Sequence, residues 1–194
     1  MSSLNPKTRV AFQGERGAFS EEAAVKLLGD AIELVPRQTF AALFSSFDES
    51  VADYLLAPIA NSIAGPVEAA VALLNKSGFT VVDEVTIHVA QNLIGCRGVK
   101  LSDIEEVQSH PMALAQCTRF FIEHPCLKQI EGDDTAGSVA EIIQRRDTNR
   151  AAIAARRAAE IYGGVILQEN IQDASENLTR FVLLSKPTEK DVKP

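Results

Sequence analysis

The sequence Asn-Leu-Thr-Arg-Phe at residues 177–181 places a polar pair at the start of a strand. It follows a polar turn at residues 172–176 and runs into four apolar residues, 181–184, that are typical of a short strand. Thr179 therefore brings a hydroxyl, and Arg180 a guanidinium, to a loop-to-strand edge. A hydroxyl can donate or accept a proton, and a guanidinium can fork onto a carboxylate. Such edges line ligand clefts in α/β folds, although the same string also suits a surface turn.

The length and composition are those of a globular chain. Its 194 residues suffice for one domain or two small lobes with a real core, and 46% apolar and 6% aromatic residues exclude a disordered protein. No apolar run approaches the roughly 20 residues that a membrane-spanning helix needs. Residues 1–7 are polar and lack the apolar core of a signal peptide. We therefore predict a cytoplasmic protein without a membrane partner.

Charge and cysteine usage exclude several classes of ligand. The net charge of −7, from 19 basic and 26 acidic residues, disfavours a nucleic-acid partner. An anionic ligand would need local positive groups and oriented amides. Cys96, Cys117 and Cys126 have neither the spacing of a metal site nor the even number of a disulfide framework. Because His110 and His124 are too far apart to share an ion, we predict no metal and no cofactor.

Strands and helices alternate along the chain, which predicts the α/β class. Residues 8–13 form a first strand, and Ser20 is predicted to cap a helix over Glu21–Leu28. Between them, Gly14 and Gly17 allow a tight turn and a close approach of the backbone to a ligand. Residues 79–92 predict one long strand, which we interpret as a crossing between two lobes.

Polar residues recur where strands meet helices. Gly65-Pro66 and Pro111 each predict a helix start, so Asn61-Ser62 and Ser109-His110 stand before helices, the second of which runs through Phe121 and contains Gln116. Amides at a helix N-terminus suit a carboxylate, although Asn61 and Ser62 also suit the capping of a turn. Strand ends in a parallel sheet face one crevice. We expect these junctions to form a site for a small polyanion.

Six segments together carry a resemblance to a known family. The chain resembles the catalytic domain of prephenate dehydratase from Val10 to about Ser185. The segments that carry it are Phe12–Ser20, Asn61-Ser62 with Gly65, Ser109-His110-Pro111 with Ala115-Gln116-Cys117, Asp134–Gly137, Ala151–Ala154 with Ala158–Gly163, and Asn177–Phe181.

The resemblance implies a two-lobed α/β fold similar to type II periplasmic binding proteins, with a cleft between the lobes. One lobe would hold residues of about 8–85 plus 177–186, and the other residues of about 86–176. Members of the family form homo-oligomers, commonly dimers or tetramers. They usually carry a C-terminal ACT domain that senses phenylalanine, and we expect none here, since the sequence ends soon after the final strand.

The resemblance also implies an activity: conversion of prephenate to phenylpyruvate, with loss of water and CO₂, in L-phenylalanine biosynthesis. Thr179 would donate to the departing hydroxyl, with His110 as the alternative donor. Arg180 would hold a carboxylate, and Phe181 would pack on the ring or belong to the core. The other predicted substrate-binding residues are Asn61, Ser62, Ser109, Gln116, Thr135 and Ala136.

Two residues depart from the family pattern, and alternatives remain open. Ala60 stands where the family usually has Glu, and Met112 where it often has Gln. The alternatives are an arogenate dehydratase, a prephenate decarboxylase that does not aromatise the ring, and a non-catalytic anion-binding module of the same fold.

Overall fold

The computed structural model describes residues 8–187. Residues 1–7, on which the prediction of a missing signal peptide depends, lie outside the described range. The chain groups into two compact units. Within the described residues, the first comprises residues 8–14, Ser20–His88 and residues 178–187, and the second comprises Glu15–Phe19 and Val89–Asn177. The second unit thus includes residues 15–19, which the sequence grouped with the first lobe.

Strands and helices alternate, as predicted, over much of the described chain. Within residues 8–187 the strands are β1 (Arg9–Gln13), β2 (Glu33–Arg37), β3 (Tyr54–Asn61), β4 (Gly65–Pro66), β5 (Thr80–His88), β6 (Asn92–Gly95), β7 (Glu106–Ser109), β8 (Lys128–Glu131), β9 (Arg150–Ala154), β10 (Val165–Gln168) and β11 (Leu178–Ser185). The α-helices are α1 (Phe19–Leu28), α2 (Phe40–Ser45), α3 (Glu68–Ser77), α4 (Pro111–Ala115), α5 (Thr118–Glu123), α6 (Thr135–Arg145) and α7 (Arg156–Tyr162), and Leu101–Asp103 forms a 3₁₀ turn.

The first unit is built on a mixed sheet in the order β2-β1-β3-β11-β5, with β4 paired to β3. Strand β1 is parallel to β2 and β3, whereas β11 is antiparallel to both β3 and β5. The last strand of the chain therefore lies inside the sheet. The core of this unit contains Ala11, Leu43, Phe44, Phe47, Ala52, Leu55, Ala57, Val182 and Leu184.

The second unit repeats the arrangement with a sheet in the order β10-β6-β9-β7-β8. Strand β7 is parallel to β8 and β9, and β6 is antiparallel to β9 and β10. Strand β9 is buried along nearly its whole length because its residues are small and apolar. The predicted two-lobed α/β class is confirmed by these two sheets with their helices.

Three local predictions are wrong. Residues 79–92 form β5 and β6 in different sheets, because pairing with β11 ends at His88 and the Val89 amide then bonds to the Asn177 carbonyl at 2.7 Å. Ser20 does not cap α1, which starts one residue earlier, directly after a turn in which the Ala18 amide donates to the Glu15 carbonyl. The predicted helix through Phe121 is two helices, α4 and α5.

Candidate active site

Thr179 is the second residue of β11, and it lies opposite Asn61 on β3 and Ile87 on β5. Only 9% of the residue is exposed. Its Oγ1 accepts a hydrogen bond from Nδ2 of Asn61 at 2.8 Å. Because that bond occupies a lone pair of the oxygen, the Thr179 hydroxyl proton remains able to point toward another acceptor.

The Asn61 side chain has one preferred orientation. Its Oδ1 accepts from the backbone amides of Ile63 at 2.9 Å and Ala64 at 2.8 Å. Rotating the amide by half a turn would set an N–H donor against those two donors. Nδ2 is therefore the atom that faces Thr179, and the hydrogen bond between the two side chains has a defined direction.

Ser62 hydrogen-bonds the start of β11 to the turn of residues 61–64, which the Asn61 side chain caps. The Ser62 amide donates to the Leu178 carbonyl at 2.8 Å, and the Leu178 amide donates to Ser62 Oγ at 2.9 Å. The prediction that Asn61 and Ser62 precede a helix is wrong. Gly65–Pro66 pairs with β3 as β4, and the helix starts only at Glu68. The alternative, a turn-capping role, is what the structure shows.

Arg180 and Phe181 differ from Thr179 in their surroundings. Successive side chains of a strand leave opposite faces of the sheet, so Arg180 projects from the face opposite Thr179. Arg180 is exposed, and its Nη1 lies 3.9 Å from Glu84 in an exposed pair of little energetic weight. Phe181 is buried, with 2% exposure. The roles of Arg180 at a carboxylate and of Phe181 at a ring remain predictions.

In the second unit, Ser109 and His110 end β7 and begin α4. Ser109 is fully buried and its Oγ donates to the Ile153 carbonyl at 2.7 Å, which ties β7 to β9. His110 is exposed and caps α4, since its Nδ1 accepts from the Met112 amide at 3.2 Å. An accepting Nδ1 leaves the proton of the neutral ring on Nε2, which makes Nε2–H a donor.

Gln116 is the C-terminal cap of α4 and does not lie inside a longer helix. Its Oε1 accepts from Nδ2 of Asn177 at 3.0 Å and from Nε2 of Gln91 at 3.4 Å. Its backbone carbonyl accepts from the Asp173 amide at 2.7 Å. The side chain of Gln116 is therefore held by residues from two other segments of the second unit.

Cys117 follows Gln116 and is not a nucleophile. It is fully buried, and that burial, with Asp173 nearby, raises the pKa of its thiol to about 12. A thiol in such a site stays protonated at neutral pH and serves as a small apolar side chain.

Thr135 and Ala136 form the first turn of α6. Asp134 is the N-cap, and its Oδ1 accepts from the Gly137 amide at 2.6 Å. Ala136 is fully buried and Thr135 is partly buried. The substrate-binding roles of both residues remain predictions.

Three residues that contact Gln116 were not predicted from the sequence as site residues: Gln91, Asp173 and Asn177, the last of which is the first residue of the motif at residues 177–181. One signal was present. Gln91 and Asn92 are two consecutive polar residues, and they interrupt the apolar alternation of residues 79–92. A single continuous strand with one buried face would keep that alternation, so the interruption marks a change in the chain. The contribution of Asp173 has no local signal, because its partners precede it by more than 50 residues.

Asp173 separates α4 from α5 by capping α5 from a distant segment. Its Oδ2 accepts from the Thr118 amide at 2.9 Å and from Thr118 Oγ1 at 2.6 Å, and its Oδ1 accepts from the Arg119 amide at 2.8 Å. Burial opposes ionisation of the carboxyl. The hydrogen bonds from Thr118 and Arg119 outweigh that cost and hold the Asp173 pKa below its ordinary value.

We expect Asp173→Asn to destabilise the protein by about 1–2 kcal/mol at neutral pH, because the NH₂ group of asparagine would face N–H donors that the carboxylate now accepts from. A carboxyl with a lowered folded-state pKa stabilises fully above its unfolded value of about 4, and this contribution is lost as the pH falls through the folded-state pKa. Urea unfolding between neutral pH and pH 2 should therefore show wild type and variant converging in acid. Asp133→Asn removes the same charge from an exposed residue and is the control. A constant difference at all pH values would contradict the ionised cap.

The described chain has no evident metal site and no membrane span. Within residues 8–187 no group of three or more His, Cys, Asp or Glu side chains is placed to hold a metal ion. Among the same residues no helix is long and apolar enough to cross a membrane. The predicted cytoplasmic location and homo-oligomeric state remain predictions.

Comparison with known proteins places these features in a family. The family model of prephenate dehydratase matches residues 10–189. An Arabidopsis thaliana protein named arogenate dehydratase/prephenate dehydratase 2, chloroplastic, is 37% identical over 184 residues, which cover 95% of this chain and 48% of the relative. The chain thus spans about half the length of that relative.

Two solved structures have the same fold. One is a prephenate dehydratase from Arthrobacter aurescens, in complex with L-Phe, which superposes with a TM-score of 0.83 at 30% identity. The match covers 93% of this chain and 61% of that chain. The other is described as a quorum-quenching acylase, GqqA, and superposes with a TM-score of 0.83 at 32% identity. The match covers 96% of this chain and 66% of that chain. This chain thus shares its α/β fold with both proteins. With a family match over nearly its whole length, this chain belongs to the prephenate dehydratase family.

Proposed function

We propose that this chain is a dehydratase that converts prephenate to phenylpyruvate in L-phenylalanine biosynthesis. The observation that carries the proposal is the buried Thr179 hydroxyl, whose oxygen accepts from an oriented Asn61 amide. Family membership and the printed activities of the relatives support the substrate class.

The dehydration of prephenate requires one proton donor placed beside the departing hydroxyl. The bond between the ring and its carboxylate breaks to release CO₂, and its electron pair completes the aromatic ring as the ring hydroxyl departs. Hydroxide is a poor leaving group, so a donor must transfer a proton to it or hydrogen-bond to it and let it leave as water. The driving force comes from aromatisation, and the protein has to hold a dianion and direct one proton.

Thr179 is our candidate for that donor, and Asn61 is a positioning residue. A threonine hydroxyl is a weak acid, but the Asn61 N–H donates to Oγ1 at 2.8 Å and stabilises negative charge that develops there. Burial strengthens this interaction, because water does not screen it. His110, whose Nε2–H is a donor in the neutral ring, is the alternative.

The remaining assignments concern substrate binding. We propose that Ser62, Gln116 and Thr135, with the amides at the start of α6, hold the carboxylates and the ring side of the substrate. Arg180, an exposed guanidinium near the start of β11, is our candidate for holding a carboxylate of the substrate. Ser109 supports this arrangement through its bond to Ile153.

Incubation of the purified chain with prephenate and, separately, with arogenate tests the proposal. We expect prephenate to be consumed and CO₂ and an aromatic keto acid to be formed in equal amounts. Absorbance and mass spectrometry measure these products. Phenylalanine formed from arogenate alone would identify an arogenate dehydratase. A decarboxylated product that is not aromatic would identify the decarboxylase. Thermal stabilisation by prephenate without its consumption would show a binding module and overturn the proposal.

A further inference from the structure

Two amide side chains of the second unit donate to one oxygen of a third, Gln116. Gln116 Oε1 accepts from Asn177 Nδ2 at 3.0 Å and from Gln91 Nε2 at 3.4 Å. The second distance is at the long end for a hydrogen bond, so Gln91 supplies the weaker of the two. Both donors come from segments outside α4, and both act on the same end of the Gln116 amide.

This convergence determines which end of the Gln116 amide is still available. With Oε1 doubly occupied, the Nε2 group of Gln116 has no hydrogen-bond partner among residues 8–187. Turning the amide over would bring Nε2 against two N–H donors. Gln116 therefore presents two N–H donors in a fixed direction, at a residue that is only partly buried.

The arrangement leaves one polar atom without a partner. Gln91 is 3% exposed, and its Oε1 has no hydrogen-bond partner in the described part of the chain. Its backbone is well bonded, since its amide donates to Gln172 Oε1 at 2.9 Å and its carbonyl accepts from the Ile171 amide at 2.8 Å. A buried carbonyl without a donor costs free energy. Such a violation in an otherwise satisfied structure points to a functional requirement.

We propose that Gln91 is a positioning residue for Gln116. Together with Asn177 it turns the Gln116 amide so that its NH₂ group donates to a carboxylate or carbonyl oxygen of the bound substrate. An apolar side chain at position 91 would remove the unpartnered carbonyl, but it would also release Gln116. This inference rests on the proposed function for the identity of the substrate and on the amide geometry for the role of Gln91.

The experiment is a double-mutant cycle with Gln91→Met and Gln116→Met, two apolar replacements of similar length. We expect Gln116→Met to raise KM for prephenate about 10-fold, which corresponds to 1.4 kcal/mol. Gln91→Met should raise KM roughly 3- to 10-fold with kcat nearly unchanged. The double variant should match Gln116→Met alone, because Gln91 acts only through Gln116. Unchanged KM in Gln91→Met, or effects that multiply in the double variant, would overturn the inference.

A measurement without substrate separates this inference from the proposed function. The side-chain ¹⁵N order parameter of Gln116 should fall below about 0.6, the flexible range, in Gln91→Met and stay high in the wild type. Gln129→Met, which alters an exposed glutamine of β8, is the control and should change neither this value nor KM. A wild-type protein that leaves prephenate and arogenate intact refutes the proposed function, and the order parameter still decides whether Gln91 fixes Gln116. An unchanged order parameter refutes the inference even in an active enzyme.

Discussion

Thr179→Val is expected to lower kcat for prephenate by roughly 10²–10⁴-fold, the usual contribution of a positioned proton donor. At 1.36 kcal/mol for each factor of ten, this equals about 3–5 kcal/mol of transition-state stabilisation. Valine keeps the shape of the side chain and removes only the hydroxyl. Steady-state kinetics should show KM within a few-fold of the wild type, because the lost interaction forms as the hydroxyl departs.

Two further variants show whether the hydroxyl itself is responsible. Thr179→Ser retains the oxygen that accepts from Asn61 and should keep most of the activity. Thr86→Val makes the same chemical change at an exposed position of the adjacent strand β5 and should leave the kinetics unchanged. Turnover of Thr179→Val within a few-fold of the wild type would exclude Thr179 as the donor and direct attention to His110.

The elements that sequence alone predicts well are those with local signals at both ends. Helix α7 ends at Tyr162 because Gly163 adopts the left-handed conformation, and the Gly163-Gly164 pair is a local signal for that end. Asp134 caps α6 through the amide of Gly137, which is only three residues away. In such cases the residues that decide the boundary are neighbours in the chain.

The failures involve partners that are distant in the chain. The bond between Asn61 and Thr179 joins residues 118 positions apart and depends on the register of β3 and β11. The break between α4 and α5 depends on Asp173, which no pattern within residues 111–121 reveals. The polar pair Asn61-Ser62 was noticed from sequence. Its role in fixing Thr179 required the sheet.

Gly17 has a packing requirement that the sequence alone does not reveal. From the sequence, Gly14 and Gly17 are predicted only to allow a tight turn and a close approach of the backbone to a ligand. In the structure Gly17 has φ of +84° and lies against the backbone of α7, where an added Cβ would be 2.7 Å from Ala158 Cα. The glycine is required for close packing between two segments of the second unit, and it therefore contributes to the stability of the fold.

Gly17→Ala is therefore expected to destabilise the protein by about 2–5 kcal/mol. Roughly 1–2 kcal/mol comes from placing an L-residue in the left-handed region, and about 1–3 kcal/mol from displacing the start of α7. For a chain of this size each kcal/mol lowers Tm by about 2–4 °C, so calorimetry should record a fall of roughly 4–20 °C. The contact is with backbone atoms, which cannot move aside as a flexible side chain would.

Gly98→Ala is the matched control because Gly98 has the same φ of +84° and an added Cβ there would meet nothing within 4 Å. It carries the conformational cost alone, so the difference between the two variants measures the contact with Ala158. Equal losses of stability would show that the backbone angle, and not the packing against α7, is what requires glycine at position 17. A larger loss in Gly17→Ala, with KM for prephenate unchanged in the folded fraction, would establish that the loop supports the fold and that its close approach is to helix α7.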